Sequence, residues 1–172
     1  MLGRLDCLAM RASNGECCAP HRIEPEVIVM EPRRILLVAN QTAGGPALKG
    51  EIRMRMADGP CAFMLVVPAT PPSEHATWEE GEARDIARRR MEKAVTEMRQ
   101  MGAEITGVVG DASPVLAIND ALIEQPCDEI ILSTLPPGIS RWLKWDLPHR
   151  VEQRFRLPVT TVIGEREAAA AP

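Results

Sequence analysis

The sequence predicts an α/β domain: a Rossmann-like, three-layer α/β/α sandwich built on a doubly wound, five-stranded parallel sheet. Three observations predict it. Five short apolar runs recur along the chain, as expected for strands covered on both faces. Longer segments with apolar residues at helical spacing separate them, and Gly, Ser, Asp and Pro mark the joints. Strands alternating with helices require parallel pairing, right-handed crossovers and helices on both faces of the sheet.

Residues 1–32 show no sustained helix or strand period, and Asn14-Gly15, Pro20, Pro25 and Pro32 punctuate them. They read as a poorly ordered extension, with Met30 as a candidate start of translation directly before the first strand. The domain proper is expected over residues 33–164. Its first strand is Ile35-Leu36-Leu37-Val38-Ala39. After Asn40-Gln41-Thr42 and Gly44-Gly45, Pro46 opens a helix, where its missing N–H costs nothing, and Leu48, Ile52 and Met56 form the apolar stripe. Asp58-Gly59-Pro60 ends that helix, and the second strand runs from Ala62 to Val67.

A Pro-rich connection then leads to Thr77, an N-cap with Glu80 three residues on, the pattern of a capping box. The long helix that follows places Ala83, Ala87, Met91, Ala94, Met98 and Met101 on one face and stops at Gly102. Strand three is Ile105 to Val109. Ser113 and Pro114 supply the cap and first turn of a helix carrying Leu116, Ala117, Ala121 and Leu122. Strand four is Glu129 to Ser133. A loop through Pro136-Pro137-Gly138 leads into one amphipathic segment from about Ser140 to Phe155. Strand five is Val159 to Ile163, closed by Gly164, and residues 165–172 read as a flexible, Ala-rich tail.

Composition excludes several classes of function. The net charge of −4 argues against a nucleic-acid binder, whose affinity for phosphate backbones needs an excess of Lys and Arg. Arg88-Arg89-Arg90 lies among Glu79, Glu80, Glu82, Asp85 and Glu92, and that mixture reads as a solvated helix face. No apolar run approaches the roughly 20 residues of a bilayer span. Arg4, Asp6 and Arg11 interrupt the N-terminus, so no membrane association and no secretory leader are expected. The cysteines are odd in number, and Cys61 and Cys127 fall beside strands, where a reduced thiol serves as a small hydrophobe in a cytoplasmic protein.

Catalytic and metal signatures are sparse. Cys7, Cys17, Cys18 and His21 match no closed zinc framework, and His75 and His149 are isolated, so no metal is expected. The sequence contains no Walker A loop, no complete Gly-x-Gly-x-x-Gly, no nucleophile elbow and no His-Glu-x-x-His. Asp111 is a lone carboxylate, better read as a turn residue before Ser113. The expectation is therefore a protein that is not an enzyme. Arg141-Trp142-Leu143-Lys144-Trp145 offers aromatic faces for a base or a partner. The favoured reading is that this helix docks Leu143 and one Trp on the sheet. Ligands of doubly wound sheets bind at the carboxyl ends of strands where the winding reverses, a rule that does not by itself choose the point of reversal.

Four segments carry a resemblance: Arg34 to Ala39, Val108 to Ile118 around Gly110-Asp111-Ala112-Ser113-Pro114, Asp128 to Ser133, and Leu157 to Val162. Together they resemble the universal stress protein domain over about residues 33–164. The resemblance implies the strand order 3-2-1-4-5, with the reversal between strands one and four. It also implies a stress-responsive regulatory or binding role and a homodimer paired through the last strand. Strand five, as an edge, needs covering in any case. In some members ATP or AMP is held by an acidic residue after strand one and by a Gly-x2-Gly-x9-Gly-Ser/Thr motif after strand four. Here Asn40 stands at the acidic position, Gly138 is flanked by Pro136 and Pro137, and Leu147-Pro148 falls near the Gly-Ser/Thr pair.

The candidate site is the cleft between the first and fourth strand–helix loops. Loop one supplies Asn40, Gln41, Thr42, Gly44 and Gly45; loop four supplies Ser133, Thr134, Gly138, Ser140 and Arg141. Helix-start N–H groups after Gly45 and the Arg141 guanidinium suit an anion. An ATP- or AMP-type nucleotide, another small anion and no ligand remain open. Ligand occupancy would order the two loops and change what the surface presents to a protein partner. The alternatives are an interaction module of the same fold that binds no nucleotide, and an enzyme acting on nucleotides.

Overall fold

The computed structural model describes residues 31–70 and 80–165. Most of the expected extension and tail, Thr77 with most of the Pro-rich connection, and Cys7, Cys17, Cys18, His21 and His75 lie outside the described residues. The elements in chain order are β1 Arg33–Val38, α1 Pro46–Asp58, β2 Cys61–Pro68, α2 Glu80–Gln100 and β3 Glu104–Gly110. They continue with α3 Pro114–Glu124, β4 Glu129–Thr134, α4 Arg141–Lys144, α5 Leu147–Phe155 and β5 Val159–Ile163.

All the strands pair in parallel, in the order β3-β2-β1-β4-β5, so the winding reverses between β1 and β4 as the resemblance implied. Side-chain alternation along β1 explains its unbroken apolar run. Ile35 and Leu37 face a core shared with Leu48 and Ile52 of α1 and Ala87, Ala94 and Met98 of α2. Leu36 and Val38 face the opposite core, with Ala117, Ile118 and Ala121 of α3 and Leu147 and Val151 of α5. At full burial, each such Leu or Ile contributes about 1.5–3 kcal/mol.

Two glycines of β3 set how closely helices approach the sheet. A Cβ on Gly107 would lie 2.5 Å from the Met91 sulfur of α2, and one on Gly110 would lie 2.5 Å from Ala117 Cβ of α3. The sequence elements are found with informative shifts. The amphipathic segment from Ser140 to Phe155 forms two helices, because Pro148 cannot donate a backbone hydrogen bond and its ring conflicts with the carbonyl four residues back. Asp146, at φ 51°, turns the chain between them. Ser113 is the residue before α3 but its hydroxyl does not cap the helix. Asp111 Oδ1 instead accepts from the Ser113 N–H at 2.7 Å, which fits Asp111 as a turn residue. Leu116, expected on the apolar stripe, is exposed, and Ile118 takes the buried place.

The amino end of the sheet carries a buried ionic network. Glu129, 2% exposed, receives Arg33 at 2.7 Å and Arg55 at 2.7 Å and accepts from the Thr160 hydroxyl at 3.0 Å. Arg55 also meets Glu51 at 2.8 Å. Burial alone would push the Glu129 carboxyl up, but the hydrogen bonds from Arg55 and Thr160 and the charges of Arg55 and Arg33 outweigh it and hold it below its ordinary value. The hydrogen bond to Glu129 raises Arg55 in turn. Burial pushes the nearby Cys61 thiol and the Cys127 thiol up, which leaves both as weak nucleophiles.

The two sheet edges differ. Ala69 N–H donates to Gly110 C=O, so the alternate carbonyls of Ile105, Gly107 and Val109 point away from β2. Arg99 of α2 caps the first of these, with Nε and Nη2 at 3.1 and 2.9 Å from Ile105 O. On β5, Ile130 N–H donates to Pro158 C=O and Gly164 N–H to Thr134 C=O. The backbone groups of Val159, Thr161 and Ile163 therefore face outward, and Ile163 is 51% exposed.

Candidate functional site

The loops after β1 and β4 meet at the reversal point, where doubly wound sheets open a crevice. Thr42 and Ser133 join them. Thr42 Oγ1 donates to the Ser133 carbonyl at 2.9 Å and accepts from Ser133 Oγ at 2.8 Å, and both side chains are buried. Gly164 passes beside this pair, and a Cβ there would touch the Thr42 side chain at 3.4 Å. Gly45 must come within reach of the same turn, since its N–H donates to Thr42 O at 3.1 Å. The Gly45 N–H, directly before the helix start, is thus used inside the loop.

Asn40 occupies the position where the resemblance implied a carboxylate. Its Nδ2 donates to the Pro68 carbonyl at 2.9 Å, while its Oδ1 accepts from Arg90 of α2. A carboxylate cannot make the first of these bonds, so the neutral amide fits a residue that ties β1 to both β2 and α2. Arg90 sits in the arginine run that the charge pattern assigned to a solvated face. No sequence signal separates it from Arg88 and Arg89.

Loop four closes on itself. Thr134 Oγ1 and Ser140 Oγ share a hydrogen bond, and Ser140 Oγ also accepts from Leu143 N–H at 3.1 Å, capping α4. The turn between them runs through Pro136 O, which accepts from Ile139 and Ser140, and Gly138 adopts φ +96° there. Arg141 is exposed and lies over the Trp145 ring at 4.9 Å. Trp142 packs partly buried against the α3–α5 core, whereas Trp145 is 53% exposed. Leu147, near where the resemblance implied a Gly-Ser/Thr pair, is buried in that same core. Leu147-Pro148 therefore contributes packing where the phosphate motif would contribute backbone donors.

One atom in the cleft stands apart. Gln41 Oε1 is buried and has no hydrogen-bond partner among the described residues. A buried unsatisfied acceptor costs about 1–3 kcal/mol, so it marks a place where a donor is missing. The structure thus joins Thr42 to Ser133 and Thr134 to Ser140 as two hydroxyl pairs and leaves Gln41 Oε1 without a donor among the described residues. No three His, Cys, Asp or Glu side chains among the described residues could hold a metal ion. No described helix is long and apolar enough to cross a membrane.

No protein-family model and no curated protein matches the sequence. Solved structures do match in fold. A universal stress protein in complex with cAMP shares 15% identity, with 77% of this chain and 98% of that one covered at a TM-score of 0.51. A universal stress protein from Archaeoglobus fulgidus gives 19% identity, 76% and 93% coverage and 0.51. A protein of that family from Burkholderia pseudomallei gives 18%, 74% and 93%, and 0.53.

Proposed function

We propose that this chain, which has the universal stress protein fold, is a non-catalytic binding domain that takes an adenine nucleotide with a short phosphate tail at the crevice between β1 and β4. The observation that carries this reading is the buried Gln41 Oε1, which has no hydrogen-bond partner among the described residues, at the point where such sheets bind ligands. A side-chain amide recognises adenine by accepting from its exocyclic amine while donating to a ring nitrogen. A structural neighbour in complex with cAMP supports the ligand class. The closed Thr134–Ser140 pair and the buried Leu147 argue for a short tail, because neither loop offers a triphosphate the donors it needs.

A second reading is favoured by β5: its outward backbone groups and exposed Ile163 suit pairing with a second copy of this chain, which would hide an otherwise open edge. The two readings are compatible, with occupancy of the crevice acting beside the Gly164 end of β5. Thermal unfolding with adenosine, AMP, cAMP and ATP at millimolar concentration tests the first. A ligand present at about 100 times its Kd adds about 2.7 kcal/mol to native stability. AMP and cAMP are expected to raise Tm, with ATP no better than AMP. No rise with any of the four would leave the β5 reading standing alone.

A further inference from the structure

We propose that the groove between α3 and α5 is a separate anion-binding site that takes two adjacent phosphate groups on the paired guanidiniums of Arg150 and Arg154. The groove is an open cavity of about 380 Å³ lined by Val115, Arg150, Gln153 and Arg154. None of its residues belongs to the loops after β1 or β4, so the inference stands independently of the crevice.

The charge at this groove is unbalanced. Among the described residues, Arg150 makes no ion pair and no side-chain hydrogen bond, and Arg154 makes no ion pair and lies over the Phe155 ring, at 5.7 Å to its centroid. Gln153 is engaged with His149 at 2.7 Å, which leaves the two arginines as the charged groups of the lining. They stand four residues apart on α5, one turn on the same helix face, and like charges so placed repel. Residues 141–156 hold five Arg and Lys against two acids in a chain of net charge −4, so the positive field is local to this part of the surface. An anion in the groove relieves the repulsion. Each planar fork can engage one phosphate with paired N–H donors, and the helical spacing of about 5–6 Å between the Cβ atoms suits two linked phosphates better than one. Val115 provides an apolar wall for whatever organic group the phosphates carry.

Inorganic pyrophosphate is the probe, titrated by calorimetry into the full chain, with orthophosphate and sodium chloride at matched ionic strength as comparisons. Saturable pyrophosphate binding is expected, tighter than orthophosphate. Arg150→Gln and Arg154→Gln should each weaken it about tenfold, as expected for loss of a charge-assisted hydrogen-bond pair. Arg53→Gln, on the exposed face of α1 and outside both the groove and the crevice, should leave it unchanged. Both groove arginines are exposed, so the variants should retain wild-type circular dichroism and melt at or slightly above the wild-type temperature as the repulsion goes. Absence of saturable binding, equal affinity for the two anions, or binding that survives in the double variant would overturn the proposal.

Discussion

The two ends of the sheet bury polar groups in opposite ways. At the amino end, Glu129 is surrounded by Arg33, Arg55 and Thr160, and the network is ionic and closed. At the carboxyl end, the buried groups are neutral hydroxyls paired with one another, and Gln41 Oε1 has no partner among the described residues. A closed ionic cluster stiffens the strands it joins and offers a ligand nothing. A set of neutral groups with one open acceptor costs stability and leaves a bond for something else to make. The difference teaches where stability resides in this fold and where recognition can reside.

The comparison breaks most readily at Glu129. Glu129→Ala leaves Arg55 without its buried partner and is expected to cost about 3–5 kcal/mol in chemical denaturation. Any nucleotide-induced rise in Tm should persist in this variant. A loss below about 1 kcal/mol would mean the network is incidental. The same residue sets a pH dependence. Because its folded-state value is depressed, its contribution is fully present above the ordinary carboxylate value of 4.5 and is lost as the pH falls through the lower folded value. Stability of the wild type should therefore fall more steeply below pH 4.5 than that of Glu129→Gln, in melts recorded across that range.

At the other end, Thr42→Val removes both hydroxyl bonds to Ser133 and should cost about 1–3 kcal/mol, measured the same way. Gln41→Leu is the sharper case. Removing an unsatisfied acceptor should leave the free protein unchanged or more stable by up to about 1 kcal/mol, yet abolish the Tm rise with AMP. A destabilised Gln41→Leu would show that the amide already serves the fold. The smallest effect on monomer stability is expected at the edge: under the proposed β5 pairing, Ile163→Lys should give a monomer in light scattering where the wild type gives a dimer, while the melt changes by less than about 0.5 kcal/mol.

The sheet was legible because β1, β2 and β4 are covered on both faces, which forces continuous apolar runs bounded by Gly and Pro. The strand order was not legible from pattern, since alternation fixes parallel pairing but not which strands become neighbours; it came from the resemblance. The break at Asp146 was within reach, because Pro148 stands in the middle of the amphipathic segment. The ionic network was not: Glu129 opens its strand like any exposed terminal residue, and its partners come from β1, α1 and β5, far apart in sequence. In the crevice, the residue types of both loops were found, but their roles depend on pairing. Nothing in the sequence says that Thr42 meets Ser133, that Asn40 holds Pro68 and Arg90, or that Gln41 is left over.

The central claim, that recognition resides at the carboxyl ends of β1 and β4, is tested most directly by titrating AMP into isotope-labelled protein and following backbone amide resonances. The account expects saturable shifts concentrated at residues 40–45 and 133–141, with Glu129 and its neighbours unmoved, and their loss in Gln41→Leu. An absence of shifts at saturating AMP, or shifts confined to the α3–α5 groove or the amino end of the sheet, would contradict it.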